Sequence, residues 1–172
     1  MLIVILGRGG HARVLEETFA GNTVKIGKDE KIPERYDGVL IGLGDLAKRK
    51  KLFEEYADSV VNAIHDKAII ADDVELGVGI QVMAGVVIQP GARIGRNTII
   101  NTRASIDHDC LIGSHCHIAP GAILCGNVTV GDETFVGAGS IITEGVTIGS
   151  RMFVPAGSLI SRNGYCKRYI SA

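Results

Sequence analysis

The amino-acid sequence predicts an α/β N-terminal unit followed by an all-β parallel β-helix, and three observations carry that prediction. From Ile64 to Ile160 every sixth residue is aliphatic, seventeen in succession without a break. The fourth residue after each is mostly small (Ala68, Ala92, Cys110, Ala122, Ser140), and the third is Gly, Asn or Asp in twelve of the seventeen hexads. Ahead of this register lies a short apolar run, Leu2 to Leu6, that ends on a glycine-rich turn. A six-residue period of this kind is the signature of stacked triangular coils.

Bulk properties bound the rest. The chain has 172 residues, 46% of them hydrophobic, and no tryptophan, enough for one or two small domains with a core. A net charge of −1 gives no basic footprint for nucleic acid. No apolar run approaches the roughly 20 residues that span a bilayer, and Leu2–Leu6 follows no basic region, so neither a membrane anchor nor a signal peptide is expected and the protein is expected to be cytoplasmic. Cys110 and Cys116 fall on inward positions of the repeat, where a free thiol acts as a small hydrophobe.

In chain order, Leu2–Leu6 reads as a strand and Gly7-Arg8-Gly9-Gly10-His11-Ala12-Arg13 as a turn into a helix ending near Phe19. A second strand fits Thr23 to Gly27 and a third Gly38 to Leu43, after a loop with Pro33. Asp45 can cap a helix through Ala57, and its Lys48-Arg49-Lys50-Lys51 run reads as a solvated face. Ser59 to Ile64 then feeds the repeat. Residues 1–60 are expected to form a βαβ domain, half of a Rossmann fold, and residues 61–172 a β-helix domain. The amides of Gly7, Gly9 and Gly10 at a helix start suit phosphates or a nucleoside, with a ligand-free tight turn as the alternative.

Three hexads make one coil of 18 residues, and Gly, Asn or Asp at the third position marks a corner, because these residues tolerate a left-handed backbone. The residue before each aliphatic one points outward, giving three columns. Ile69, Val87, Ser105, Ile123, Ile141 and Leu159 form one; Gln81, Ile99, His117, Phe135 and Phe153 a second; Glu75, Arg93, Leu111, Thr129, Thr147 and Tyr165 a third. Two apolar faces on a three-sided prism predict subunit contacts and a closed homotrimer.

Chemistry concentrates at His108, a corner residue within Asp107-His108-Asp109-Cys110. A histidine beside a carboxylate can act as general base, the carboxylate fixing its tautomer. Asp109 also stands at a left-handed corner, where aspartate is a structural choice in its own right. His117 lies half a circuit away, so the two histidines are expected to converge only across a subunit interface. His115 reads as a surface turn residue, His65 as lining a cleft at the junction of the two halves, and His11 as a contact to a ligand of the glycine turn.

Taken together, the GRGGHAR turn, the half-Rossmann unit, and a hexapeptide repeat containing His108-Asp109-Cys110 and then His117-Ile118-Ala119-Pro120-Gly121-Ala122 resemble the sugar O-/N-acyltransferase family. Members of that family acetylate nucleotide-linked amino sugars or sialic acid. The resemblance spans essentially the whole chain. It implies a left-handed β-helix, with the sugar nucleotide on the N-terminal half (Gly7, Gly9, Gly10, His11) and acetyl-CoA in the groove between adjacent β-helices. His108 matches the family's catalytic histidine and Asp109 its orienting partner, where several members have Glu. His117 matches a histidine near the thioester carbonyl. Gly126 matches a glycine whose amide faces the acetyl oxygen or cofactor, and Glu144, next in that column, contributes through its backbone. Asp29 stands near the family's acidic pair after the second strand and is expected to touch the nucleotide.

The expected activity is therefore acetyl-CoA-dependent N-acetylation of a nucleotide-linked amino sugar, without a metal. O-acetylation of a sialic-acid-type sugar is the alternative. Further readings are a γ-type carbonic anhydrase using His108, His115 and His117, whose spacing departs from that family, and a non-catalytic sugar-nucleotide-binding protein.

Overall fold

The computed structural model describes residues 1–19, 21–27, 30–161 and the strand 164–166. The N-terminal part is a three-stranded parallel sheet of β1 (Leu2–Leu6), β2 (Asn22–Ile26) and β3 (Gly38–Ile41) in the order β2-β1-β3, with helices α1 (Gly10–Thr18) and α2 (Leu46–Glu55). The apolar run makes β1 the central strand, buried from Ile3 to Leu6. Asp45 caps α2 by accepting from Lys48 N–H at 2.9 Å, which satisfies one of the orphan amides of a helix start. The expected strand over Ser59–Ile64 is shorter: Val60 bridges to Val39, and regular pairing begins at Ala63–Ile64.

From Ala63 the chain forms two-residue strands every six residues, paired in parallel eighteen residues apart into three sheets. These stacked sheets fit a left-handed β-helix with hexapeptide repeats. The aliphatic register residues from Ile70 to Ile160 pack inward, whereas Ile64 at the open end is exposed, and Ile88, Ile100, Ile106, Ile118, Leu124, Val136 and Ile142 are fully buried. Every corner position from Gly79 to Gly157 has a positive φ, including Arg103, His115, Glu133 and Arg151, residues that do not choose that region on their own. A non-glycine residue there costs roughly 1 kcal/mol, which the ladder on either side offsets.

Small inward residues do more than fill space. Buried Thr98, Thr134 and Ser140 each donate a hydroxyl to a carbonyl fifteen residues ahead (Gly113, Gly149 and Pro155, 2.8–2.9 Å). The Cys110 and Cys116 thiols face Cys125 O and Gly131 O in the same way. Burial pushes both thiols up to about 11, so they stay neutral, as their inward register implies.

Three expectations change. Tyr165 is not the next rung of the third column: Gly164–Cys166 folds back antiparallel on Leu159–Ser161, pairing Tyr165 with Ile160. The second outward column is not free for a neighbouring subunit along its whole length. The N-terminal sheet and α1 cover it, burying Ala63, Gln81, Ile99 and His117 and leaving Phe153 exposed. The first column stays open, with Ile69, Ile123 and Ile141 exposed.

Arg49 is the third change. It lies in the basic run read as solvated, yet it is 1% exposed. Its guanidinium donates to Ile41 O (2.7 Å), Gly79 O (3.0 Å) and Asn97 O (3.2 Å), joining the N-terminal sheet to two corners of the β-helix. Burial lowers its pKa to about 9, which leaves it charged near neutrality. Lys50, its neighbour, pairs with Glu133 at 3.0 Å. A helix docked on another unit buries one side of itself whatever the charge of the residue there, provided each donor finds an acceptor.

Arg49→Ala strands the carbonyls of Gly79 and Asn97, takes one of two donors from Ile41 O, and empties the space of a large, fully buried side chain. It should lower stability by about 3 kcal/mol or more in urea unfolding. A loss below about 1 kcal/mol would contradict this role.

Candidate active site

His108 stands at an exposed corner because the repeat puts it two residues after inward Ile106 and one before the left-handed residue Asp109 (φ 56°). The turn closes locally: Asp107 Oδ1 accepts the His108 N–H at 2.8 Å, and Asp109 Oδ2 lies 2.9 Å from His108 Nδ1. The left-handed backbone at Asp109 thus turns its carboxylate back on the preceding imidazole. That hydrogen bond is the main reason the His108 pKa is raised; desolvation opposes it, and the charges of Asp107, Asp109 and Glu144 add smaller upward contributions. Asp109 holds the proton on Nδ1, and Nε2 faces away as the free base.

One coil further on, Gly126 supplies the floor. A Cβ at Gly126 would lie 2.6 Å from both Cε1 and Nε2 of His108, so the ring lies over the glycine backbone. Among the described residues nothing accepts from the Gly126 N–H, while its carbonyl accepts Gly145 N–H at 2.9 Å. Glu144 is exposed in the next coil, and it is the charge of its carboxylate, not the backbone expected from the sequence, that bears on His108. His108, Asp109, Gly126 and Glu144 are therefore brought together.

His117 is placed elsewhere. Its Nδ1–H faces Gly44 O at 3.4 Å and its Nε2 accepts from Asn101 Nδ2 at 3.0 Å. Asn101 is held in that sense because its Oδ1 accepts Thr102 N–H at 2.8 Å. Both nitrogens of His117 are engaged, and burial pushes its pKa down to about 4, aided by His11, so it is neutral. His11 lies 6.4 Å away ring to ring, with Nε2 against Gln81 Oε1 at 2.8 Å, and burial lowers its pKa. Gln81 is fixed by donating to Ile41 O at 3.0 Å. The chain links His11 and His117 across the seam and leaves His108 outside it.

His115 keeps its corner φ of 58° but is not a surface residue. It is buried under α2, edge-on to Phe53 at 5.5 Å, with Nδ1 2.8 Å from Asn97 Nδ2. His65 pairs with its neighbour Asp66 at 2.9 Å. Gly9 and Gly10 open α1 with free space around them, and Gly7 has a φ of 134° with its would-be Cβ 2.8 Å from Gly42 O. Asp29 lies outside the described residues. His108, His115 and His117 occupy three separate environments, and among the described residues no group of three His, Cys, Asp or Glu side chains is placed to hold a metal. No helix among them is long and apolar enough to cross a membrane.

Gln81, Asn101 and Gly44 orient this seam and were not singled out in the sequence. Gln81 alone of these carried a signal, as one of two polar residues, with His117, in an otherwise apolar column. Asn101 and Gly44 matter only through packing that the repeat does not encode.

Gly126 has no left-handed backbone, so alanine fits its conformation and collides only with the His108 ring. Gly126→Ala should lower kcat/KM by about 10²-fold. Its melting temperature should stay within a few degrees of the parent, about 1 kcal/mol. Unchanged turnover would show that the ring does not act from this position.

Comparison with known proteins bears on this arrangement. Residues 91–126 match the family model described as bacterial transferase hexapeptide (six repeats), and residues 127–162 that of the hexapeptide repeat of succinyl-transferase. The fold is similar to that of PerB, the perosamine N-acetyltransferase of Caulobacter crescentus, solved with CoA and GDP-perosamine. The two share 35% identity over 93% of this chain and 88% of that one, with a TM-score of 0.88. It is also similar to the acetyltransferase domain of PglB from Neisseria gonorrhoeae (29% identity, 93% and 91% covered, TM-score 0.86). The UDP-N-acetylglucosamine O-acyltransferase of Moraxella catarrhalis, at 15% identity and a TM-score of 0.50 over 95% and 70% of the chains, shares the fold alone. This chain belongs to the hexapeptide-repeat sugar acyltransferase family.

Proposed function

We propose that this protein transfers an acetyl group from acetyl-CoA to the amine of a nucleotide-linked amino sugar, with His108 as general base. The observation that carries the reading is the His108 imidazole, tied to Asp109 through Nδ1 and laid over Gly126 at an exposed corner. The likeness to PerB, at 35% identity, supports the substrate class. His108 Nε2 takes the proton as the amine attacks the thioester carbonyl, Asp109 stabilises the imidazolium that forms, and the tetrahedral intermediate collapses by breaking the C–S bond, CoA leaving as a thiol with the proton returned from His108. The uncommitted Gly126 N–H is positioned as a donor to the oxyanion. His117, neutral and engaged on both nitrogens, serves by shaping the seam that borders the bound acetyl group.

The small parallel sheet is read as a half-Rossmann unit, residues 1–60, that holds the nucleotide at the C-terminal ends of its strands, beside Gly7, Gly9, Gly10 and His11. Asp29 is a further nucleotide contact in this reading. The open apolar column of Ile69, Ile123 and Ile141 supports a homotrimer, in which His108 of one chain serves a sugar held by its neighbour and acetyl-CoA lies between two β-helices. Glu144 borders that groove. A cytoplasmic enzyme without nucleic-acid or membrane partners fits a net charge of −1 and the thiols at inward positions.

Purified protein should consume acetyl-CoA thioester with one of a panel of UDP-, GDP- and dTDP-linked amino sugars. His108→Ala should lower that turnover by about 10²–10⁴-fold without altering the oligomer. Near-normal turnover by the variant, or no acceptor in the panel, would contradict the assignment.

A further inference from the structure

All three strands of the N-terminal sheet run out onto glycine: Gly7 after β1, Gly27 after β2 and Gly42 after β3. This edge therefore presents backbone rather than side chains. α1 starts beside it with Gly9 as a cap that makes no side-chain hydrogen bond, no acidic residue in its first turn, and open space around Gly9 and Gly10. Across the edge lies one ion pair. Arg8, in the turn itself, donates to Glu30 Oε2 at 2.6 Å. Glu30 is fixed by its own N–H on Gly27 O at 3.3 Å, and its carboxylate, whose pKa Arg8 and Gly27 lower, lies over Gly27. A Cβ at Gly27 would be 3.3 Å from Glu30 Oε1 and 3.6 Å from Arg8 Nε. The protein's own carboxylate thus occupies the place beside a guanidinium where an external anion would sit.

We propose that Arg8 is the diphosphate ligand of the nucleotide site, held in reserve by Glu30 and exchanged to the substrate when it binds. This rests on the reading of the glycine turn as the nucleotide site and adds the residue that selects a diphosphate. Arg8 and Glu30 side chains are 58% and 47% exposed, so their pairing is weak and readily exchanged. A guanidinium offers a planar fork that matches two phosphate oxygens, while the Gly9 and Gly10 amides offer only single donors.

The test is isothermal titration of the full chain and its variants with UDP, GDP and dTDP, and with the monophosphate of whichever binds most tightly. Arg8→Ala should weaken the diphosphate by about tenfold or more and the monophosphate much less. Glu30→Gln should tighten it by about two- to fivefold, because Arg8 no longer has a competing anion, and the double variant should bind like Arg8→Ala. Diphosphate affinity unchanged in Arg8→Ala, or weakened equally in Glu30→Gln, would overturn the role and leave the pair as a brace for the turn. Failure of the parent protein to bind any of the three would overturn the nucleotide reading and this proposal together, a different result from failure of Arg8 alone.

Discussion

A left-handed backbone at every sixth residue is what the β-helix depends on. The chain turns a corner there, the next inward aliphatic lands above the one eighteen residues before, and the ladder of parallel bonds continues. Glycine meets that demand at Gly79, Gly85 and Gly121, but Asp109 meets it at φ 56° with a side chain that still has a job. The same backbone bend that keeps the coil regular aims the Asp109 carboxylate at His108. Gly126, the same corner site one coil later, leaves room for the ring. The imidazole–carboxylate pair is thus a by-product of the repeat's own geometry, with no loop needed to hold it.

The second constraint is the seam between the N-terminal sheet and the first coils. Ile3, Ile5, Ala12, Leu15 and Leu40 pack directly on Ala63, Met83 and Ile99, so the two parts share one apolar cluster. Of the polar groups caught inside, Arg49 is answered by three carbonyls, Gln81 by Ile41 and His11, and His117 by Asn101 and Gly44. This seam fixes where the glycine turn stands relative to the β-helix, and so where a nucleotide bound there would present its sugar.

Much of this was legible in the sequence, for a physical reason. A strict six-residue period determines inward, outward and corner positions, so the neutral thiols of Cys110 and Cys116, the corner φ of His115 and the pairing of His108 with Asp109 follow from position alone. What the period cannot encode is which outward column another unit will cover. For that reason His115, which looks solvated along the chain, is buried under α2, Arg49 is buried on the docked side of α2 itself, and an apolar column that reads as a subunit contact is partly covered by the chain's own N-terminal sheet. Tyr165 departs because the strand after Ser161 reverses instead of continuing the coil.

The claim that a corner residue is also a working carboxylate has one direct test. Asparagine tolerates the left-handed region as aspartate does, so Asp109→Asn keeps the corner and removes only the charge. Asp109 is the main cause of the raised His108 pKa, and the base works only when neutral, so the acid limb of activity in the parent should lie on the high side of an ordinary histidine's. In Asp109→Asn the acid limb of kcat/KM should move to lower pH and the plateau should drop, with melting temperature and oligomeric state unchanged. An identical profile in the two proteins would mean that Asp109 serves the coil alone and that His108 acts without it.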